Sequence, residues 1–338
     1  MSRCPSFECA TANPAFESTA TEAMVRKDGI SDRPTIGLVG VGKWGRLLSR
    51  VLDRHGDLVA VTGNGAPRGR DWAARSMPHL VYAASVDELL SLPVDAVTIA
   101  TPRQTHDSIT EAALRRGKHV LVEKPLSESA MRSHELHELA NRLGLVLTVD
   151  YTHVYDSAFR ALCERLDEFE TLELEWQRPG RPCPYETIYE FSPHVLSMAV
   201  AAIPSIQIEA ARATVGTSTA SIEVRLRGPA ATFNASVVVG RVDRLKRIVA
   251  STRRSRRRLV WTDMKLVDRT ESGDEIVYAA RREPLSSVVG SFVEAVVAAR
   301  KGRSVEPAWP PAVVPSRTPL LLDHLVAVIH EGGGPDQR

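Results

Sequence analysis

From Thr35 onward the chain repeats one unit, a short apolar run that reads as a buried strand followed by a helix with apolar residues on one side. Thr35 to Val39 is the first run, and Trp44 to His55 follows as a helix carrying Leu47, Leu48, Val51 and Leu52 on one side, with Gly56 as its stop. Leu58 to Thr62 reads as a second strand, Ser85 to Leu90 as a short helix opened by Ser85, and Ala96 to Thr101 as another buried strand that Pro102 ends. A helix from His106 to Arg116, closed by Gly117, leads into the strand His119 to Val122. A helix from Leu126 to Leu143, capped by Ser127 or Ser129 and ended by Gly144, leads into Leu145 to Val149. Strands joined through helices return in the same direction, so the spacing predicts a doubly wound parallel sheet, an α/β fold.

Beyond about Tyr155 the segments lengthen and alternate: Thr171 to Trp176, Ala220 to Leu226, Ala231 to Val239 and Ile248 to Trp261. This is the pattern of a mostly antiparallel sheet. Helical candidates at His194 to Ala202, Leu285 to Arg300 and Leu320 to His330 interrupt and close it. The expected organisation is a disordered leader over 1–33, rich in Ser, Thr, Ala and Glu, a dinucleotide-binding domain over 34–153, and an α+β domain with an open sheet over 154–330, for substrate and oligomerisation. A chain of 338 residues, 43% hydrophobic, can fill two such cores.

With 43 basic and 41 acidic residues the formal net charge is +2, so no overall field draws the protein toward nucleic acid or a membrane. No apolar run approaches the roughly 20 residues that span a bilayer. Cys4, Cys9, Cys163 and Cys183 lack both zinc-site pairing and the density of a disulfide scaffold, which points to a reducing, cytoplasmic setting.

The turn after the first strand reads Gly40-Val41-Gly42-Lys43-Trp44-Gly45 and opens the first helix. That is the dinucleotide fingerprint of a Rossmann domain: Gly40 permits the tight turn, Gly42 lets the backbone approach a pyrophosphate, and Gly45 allows close helix packing. The acidic residue expected after the second strand to hold a ribose 2′-hydroxyl is missing, and Gly63-Asn64 stands there instead. Arg68 and Arg70 follow and could meet a 2′-phosphate, which favours NADP over NAD, although two solvated loop arginines read almost as well.

Two further motifs come in order, Ala100-Thr101-Pro102-Arg103-Gln104-Thr105-His106 and Gly117-Lys118-His119-Val120-Leu121-Val122-Glu123-Lys124-Pro125. With the glycine loop they make the chain similar to the Gfo/Idh/MocA oxidoreductases from Thr35 to about Arg303. The resemblance implies a Rossmann domain followed by an open-faced sheet domain, with NADP or NAD between them. It also implies that Thr101 and Pro102 border the cofactor with His106, that Glu123 and Pro125 hold the turn beside the nicotinamide, and that Lys124 contacts the hydroxyl or carbonyl being oxidised or reduced. Removing a hydroxyl proton with an amine requires its pKa to come down from about 10.4, and burial beside a positive nicotinamide pushes that way.

Relatives place Asp-x-Gly-x-His-x-x-Asp in the helix opening the second domain, and the matching stretch here is Glu190-Phe191-Ser192-Pro193-His194-Val195-Leu196-Ser197. Glu190 keeps a carboxylate, and His194 keeps an imidazole that titrates near neutrality and could orient substrate or share proton transfer with Lys124. Ser197 replaces the acid that would bind substrate hydroxyls. The expected activity is interconversion of a secondary alcohol and a ketone on a sugar, nucleotide-sugar or cyclitol-like small molecule, and the resemblance implies a homodimer or homotetramer. Imine or enone reduction, cofactor-assisted glycoside cleavage, and a non-catalytic cofactor-binding accessory protein are the alternatives.

Other features carry less. His134-Glu135-Leu136-His137 is one residue short of a zinc-protease spacing and reads as a solvated helix face. Tyr151, His153 and Tyr155 either line the cleft or pack in the core. The run Arg253 to Arg258, flanked by Arg241, Arg244, Lys246 and Arg247, reads as a solvated turn or as a grip for a phosphorylated or nucleotide-linked substrate; without interleaved aromatics it does not read as a nucleic-acid surface.

Overall fold

The computed structural model describes residues 33–63, 67–240, 242–252, 257–303 and 309–331. The leader, Cys4, Cys9, Asn64, Arg241 and the arginines from 253 to 256 lie outside the described residues. The first domain is a parallel sheet of β1 (Thr35–Val39), β2 (Asp57–Thr62), β3 (Val81–Ala83), β4 (Ala96–Ile99), β5 (His119–Glu123) and β6 (Leu147–Asp150), in the spatial order β3-β2-β1-β4-β5-β6. All its pairings are parallel. The order reverses between β1 and β4, and a doubly wound sheet opens its crevice at the carboxyl ends of its strands at that point.

Helices α1 (Lys43–His55), α2 (Pro67–Ser76), α3 (Val86–Ser91), α4 (His106–Arg115) and α5 (Ala130–Leu143) cover the sheet. Their ends follow local chemistry. Ser85 accepts the Glu88 N–H at 3.1 Å while the Glu88 carboxylate accepts the Ala84 N–H at 2.6 Å, fixing the start of α3. Of the two serines expected to cap α5, Ser129 does so by accepting from Arg132 N at 3.3 Å. The helix therefore begins at Ala130 and Leu126 is buried in the preceding loop. Gly144 ends it with φ +65°. Leu47 is a correction: Leu48, Val51 and Leu52 are buried, but Leu47 sits one step round α1 and is 43% exposed. Helix α2 and β3 were unanticipated, and they place Arg68 and Arg70 on a helix rather than in a loop.

After a short helix α6 (Ser157–Cys163), the second sheet runs β14-β13-β12-β11-β7-β10-β9-β8. Its strands are β7 (Thr171–Pro179), β8 (Gln207–Val215), β9 (Thr219–Arg227), β10 (Thr232–Gly240), β11 (Leu245–Ser251), β12 (Arg258–Thr262), β13 (Lys265–Thr270) and β14 (Gly273–Ala279). Every pairing is antiparallel except the β7/β10 pair. The segment Ile248 to Trp261, expected as one strand, is two, β11 and β12, paired antiparallel. Helix α7 (Pro184–Ala202) begins ten residues before the expected start at His194, so Glu190 and His194 stand mid-helix.

Two more helices complete the fold, α8 (Pro284–Arg300) and α9 (Val313–Glu331). Although α8 follows the second sheet in sequence, its Val288, Val289, Phe292 and Val296 join the cluster formed by Ile36, Leu48, Leu52 and Val61 of the Rossmann layer. The chain thus closes back on its first domain. Replacing Phe292, 1% exposed, by Ala is expected to lower stability by roughly 3–5 kcal/mol, read as a fall in denaturant midpoint; a loss below about 1 kcal/mol would contradict this packing.

Candidate active site

The glycine loop is shaped by contacts that leave no room for side chains. Gly40 has φ +101°, and a Cβ there would lie 2.4 Å from Ala100 O; a Cβ on Gly45 would lie 1.9 Å from Gly40 O. The Gly40 N–H bonds to Thr62 O at 2.8 Å, pinning the turn to the end of β2. Nothing lies within 4 Å of a Cβ placed on Gly42, so that side of the loop is open. Gly42 caps α1 without a side-chain bond and the first turn carries no acid, leaving backbone N–H groups and the positive end of the helix dipole for an anion. The loop fits a dinucleotide pyrophosphate. Lys43 is exposed on that first turn.

Between the two domains lies a cleft of about 730 Å³. Trp44, Thr101, Pro102, Glu123, Lys124 and Pro125 line it from the Rossmann side, with Trp176, Arg178, Glu190, His194, Arg244 and Lys246 facing them. Most of the residues singled out in the sequence meet here. Arg68 does not: it is exposed on α2, whereas Arg46 donates to Val41 O at 2.9 Å and stacks 5.3 Å over the Trp72 ring.

Lys124 stands at the end of β5, its side chain 8% exposed, where Pro125 stops the strand. Its Nζ donates to the Glu190 backbone carbonyl at 2.7 Å and to Glu190 Oε2 at 3.1 Å. Pro193 lies inside α7. The Glu190 carboxylate is half open to solvent and also lies 3.9 Å from Arg178.

His106 is 1% exposed and braces two motifs, with Nδ1 2.8 Å from Pro125 O and Nε2 2.9 Å from Thr101 O. It is a buried clamp on both loops that border the cleft. Burial lowers its pKa, although both carbonyls and Asp107 pull the other way.

His194 faces the same cleft from α7. Burial first, then the charges of Lys124, His153 and Lys246, push its pKa well below 6.5, and its Nδ1 is buried without a hydrogen-bond partner. At neutral pH its ring is therefore uncharged. Its ring is 4.8 Å from His153 and 5.6 Å from Trp176. Lys246, which the sequence offered only as part of a charge run, lies 4.9 Å over Trp176, 3.4 Å from both His153 ring nitrogens, and 2.5 Å from Asp263. Of the three residues following β6 that were weighed as cleft-lining, only His153 lines it; Tyr151 packs in the core and Tyr155 packs against the Rossmann cluster.

Ser197 is fully buried and donates to His194 O at 2.9 Å. Arg257 is held by Asp268 at 2.8 Å and by Glu168 and does not reach the cleft. No group of three His, Cys, Asp or Glu able to hold a metal ion exists among the described residues, and none of their helices is long and apolar enough to cross a membrane.

A Rossmann sheet is thus joined to a mostly antiparallel sheet, with a lysine between them at the base of a cleft. The family model described as "Oxidoreductase family, NAD-binding Rossmann fold" matches residues 35–151, so the first domain is similar to that of the Gfo/Idh/MocA oxidoreductases. It is 28% identical over 192 residues to the uncharacterized oxidoreductase YdgJ of Escherichia coli, covering 51% of this chain and 54% of that protein. It is 47% identical over 114 residues to dTDP-3,4-didehydro-2,6-dideoxy-alpha-D-glucose 3-reductase of Streptomyces violaceoruber, a third of each chain. The chain thus spans about half and a third of the length of these curated relatives. The UDP-N-acetylglucosamine 3-dehydrogenase structure from Acidithiobacillus ferrooxidans superposes with TM-score 0.75 at 22% identity, covering 88% of this chain and 98% of that one, a likeness of fold.

Burial lowers the pKa of His106, His119, His153 and His194, and takes His137 to about 4. A histidine depressed in the folded state binds its proton more readily in the unfolded state, so its contribution is present above about pH 6.5 and is lost as pH falls toward the folded value. Thermal unfolding midpoints should therefore fall between about pH 7 and about pH 5, and His137→Gln should flatten that slope. A midpoint constant over this window would contradict the assignment of neutral buried imidazoles.

Proposed function

We propose that the protein is an NAD(P)-dependent oxidoreductase that interconverts a secondary alcohol and a ketone on a sugar, nucleotide-sugar or cyclitol-like substrate. The observation that carries this reading is Lys124, nearly buried at the base of the interdomain cleft and bonded to Glu190. The cofactor, when bound, accepts or returns the hydride. In the oxidative direction Lys124 takes the hydroxyl proton, and Glu190, touching both Nζ and solvent, passes it to water; reduction runs the same path backward. His194, neutral and immobilised by packing, orients the substrate. Lys124→Met should reduce kcat/KM by roughly 10²–10⁴-fold while fluorescence titration shows cofactor binding retained. Full turnover in that variant would remove the mechanism.

NADP is the preferred cofactor on the strength of the absent ribose-binding acid and of Arg68 on the first turn of α2 beyond β2. Parallel titrations with NADPH and NADH test it, and tighter NADH binding overturns it. Arg178 and Arg244, exposed at the rim of the cleft, favour a substrate with a phosphorylated or nucleotide-linked tail. Arg244→Ala should then raise KM about tenfold for such a substrate, the loss of one charge-assisted hydrogen bond, and leave KM unchanged for the matching uncharged sugar. Equal effects on both would exclude the anionic tail. Among the described residues, Glu223, Arg225 and Arg227 of β9 are exposed on one face of the second sheet; association through that face into a homodimer or homotetramer is what the family resemblance supports, and a monomer mass by light scattering would remove it.

A further inference from the structure

A second carboxyl group lies directly behind the cleft floor. β5 and β6 run parallel with Glu123 in register with Asp150, so both side chains leave the sheet on one face. Asp150 is 1% exposed. Its Oδ1 accepts the Thr152 hydroxyl at 2.6 Å, while Oδ2 is buried without any hydrogen-bond donor. The two carboxyl groups therefore stand side by side on neighbouring strands. Glu123 Oε1 accepts the Trp44 indole N–H, which leaves the other Glu123 oxygen for Asp150.

The groups facing the pair are Lys124 from β5, Thr152 and Tyr155 from the turn after β6, and Trp44 from α1. Lys124 is the one cation among them, and it is already engaged by Glu190. Two bare carboxylates side by side and out of water repel strongly, and one proton between them removes the repulsion. That proton also supplies the donor that Asp150 Oδ2 lacks. We propose that Glu123 and Asp150 share one proton, and that Asp150 is thereby a positioning residue holding Glu123 as a neutral acid beside Lys124. Burial and the Asp150 charge push the Glu123 carboxyl well above the usual carboxylate range, the direction this sharing requires.

The floor of the cleft then carries one negative charge where two acids stand. A full charge on Glu123, adjoining Lys124, would favour the ammonium form of that lysine and demand a higher pH before the amine took a proton. Because Trp44 belongs to the first turn of α1, the same proton also fixes the bond that ties the nucleotide loop to β5. The effect on turnover rests on the role proposed for Lys124; the proton sharing does not.

Infrared spectroscopy of the purified full-length protein near neutral pH tests the sharing without any substrate. The wild-type protein should show a protonated carboxylic C=O band that disappears in Glu123→Gln. In Asp150→Asn, where an amide N–H donates to Glu123 and favours its ionised form, the band should also disappear. Absence of the band in the wild-type protein, its survival in Glu123→Gln, or its survival in Asp150→Asn overturns the proposal. Asp150→Ser, which likewise removes the second carboxylate, replaces the Asn variant if that one does not fold. In turnover, Asp150→Asn should move the acid limb of the kcat/KM profile upward by about half a pH unit or more, whereas a structural role alone would lower rates at every pH and leave the midpoint in place. If Lys124→Met keeps full turnover while the band behaves as expected, the role of Lys124 fails and the shared proton stands.

Discussion

Lys124 is presented by one domain and held by the other. β5 delivers it to the crevice, Pro125 stops the strand there, and the two acceptors for its ammonium come from the carbonyl and carboxylate of Glu190 on α7. Any displacement of the second sheet relative to the first would strip a nearly buried cation of both partners, and an unpaired buried charge costs several kcal/mol. The return of α8 onto the Rossmann layer opposes such a displacement. Its buried valines and Phe292 weld the end of the second domain to α1, the helix that carries the nucleotide loop. The cleft is therefore framed by one apolar contact and one charged contact, and the site depends on both.

Within that frame, titration is confined to few groups. His153 and His194 are pushed neutral by burial and by neighbouring lysines, so near neutral pH the charge of the cleft comes from lysines, arginines, Glu190 and Asp263. Lys246 illustrates how a cation is kept there: its ammonium lies over Trp176 and against Asp263, so an aromatic face and one carboxylate share its stabilisation. His106, with a carbonyl at each ring nitrogen, couples the Thr101 loop to Pro125 and makes the cofactor-side wall one unit.

The Rossmann half was legible because buried parallel strands are continuous apolar runs and because Ser85, Ser129 and Gly144 punctuate its helices chemically. What escaped lacked those signals. α2 buries little beyond Gly69 and Ala73, and β3 has three residues. β14 is mostly exposed, so no apolar alternation marks it. α7 was shortened to its apolar second half, since its first turns alternate polar and aromatic residues and Pro193 reads as a breaker. Lys124, Glu190 and His194 could be placed by motif order, and the structure brings all three to one cleft. Asp150, Lys246 and Trp176 could not, because their relation to Lys124 is created by strand register and by packing between sheets; an acid ending a buried strand, with Thr152 two residues on, was the one available hint of Asp150.

The altered segment of α7 bears on substrate choice. His194 and Ser197 are three residues apart and share a helix face, and Ser197 is fully buried with its hydroxyl turned back to His194 O. An aspartate at that position would carry a charge in a setting where the neighbouring imidazole is neutral and His194 Nδ1 is already without a partner. Serine removes that charge and fills its own hydrogen bond locally, which leaves Glu190 as the α7 carboxylate that lines the cleft. Arg178 and Arg244 stand exposed at the rim of the same cleft. Two cations at the rim and a serine in place of a buried acid together shift the charge of this side of the cleft toward positive.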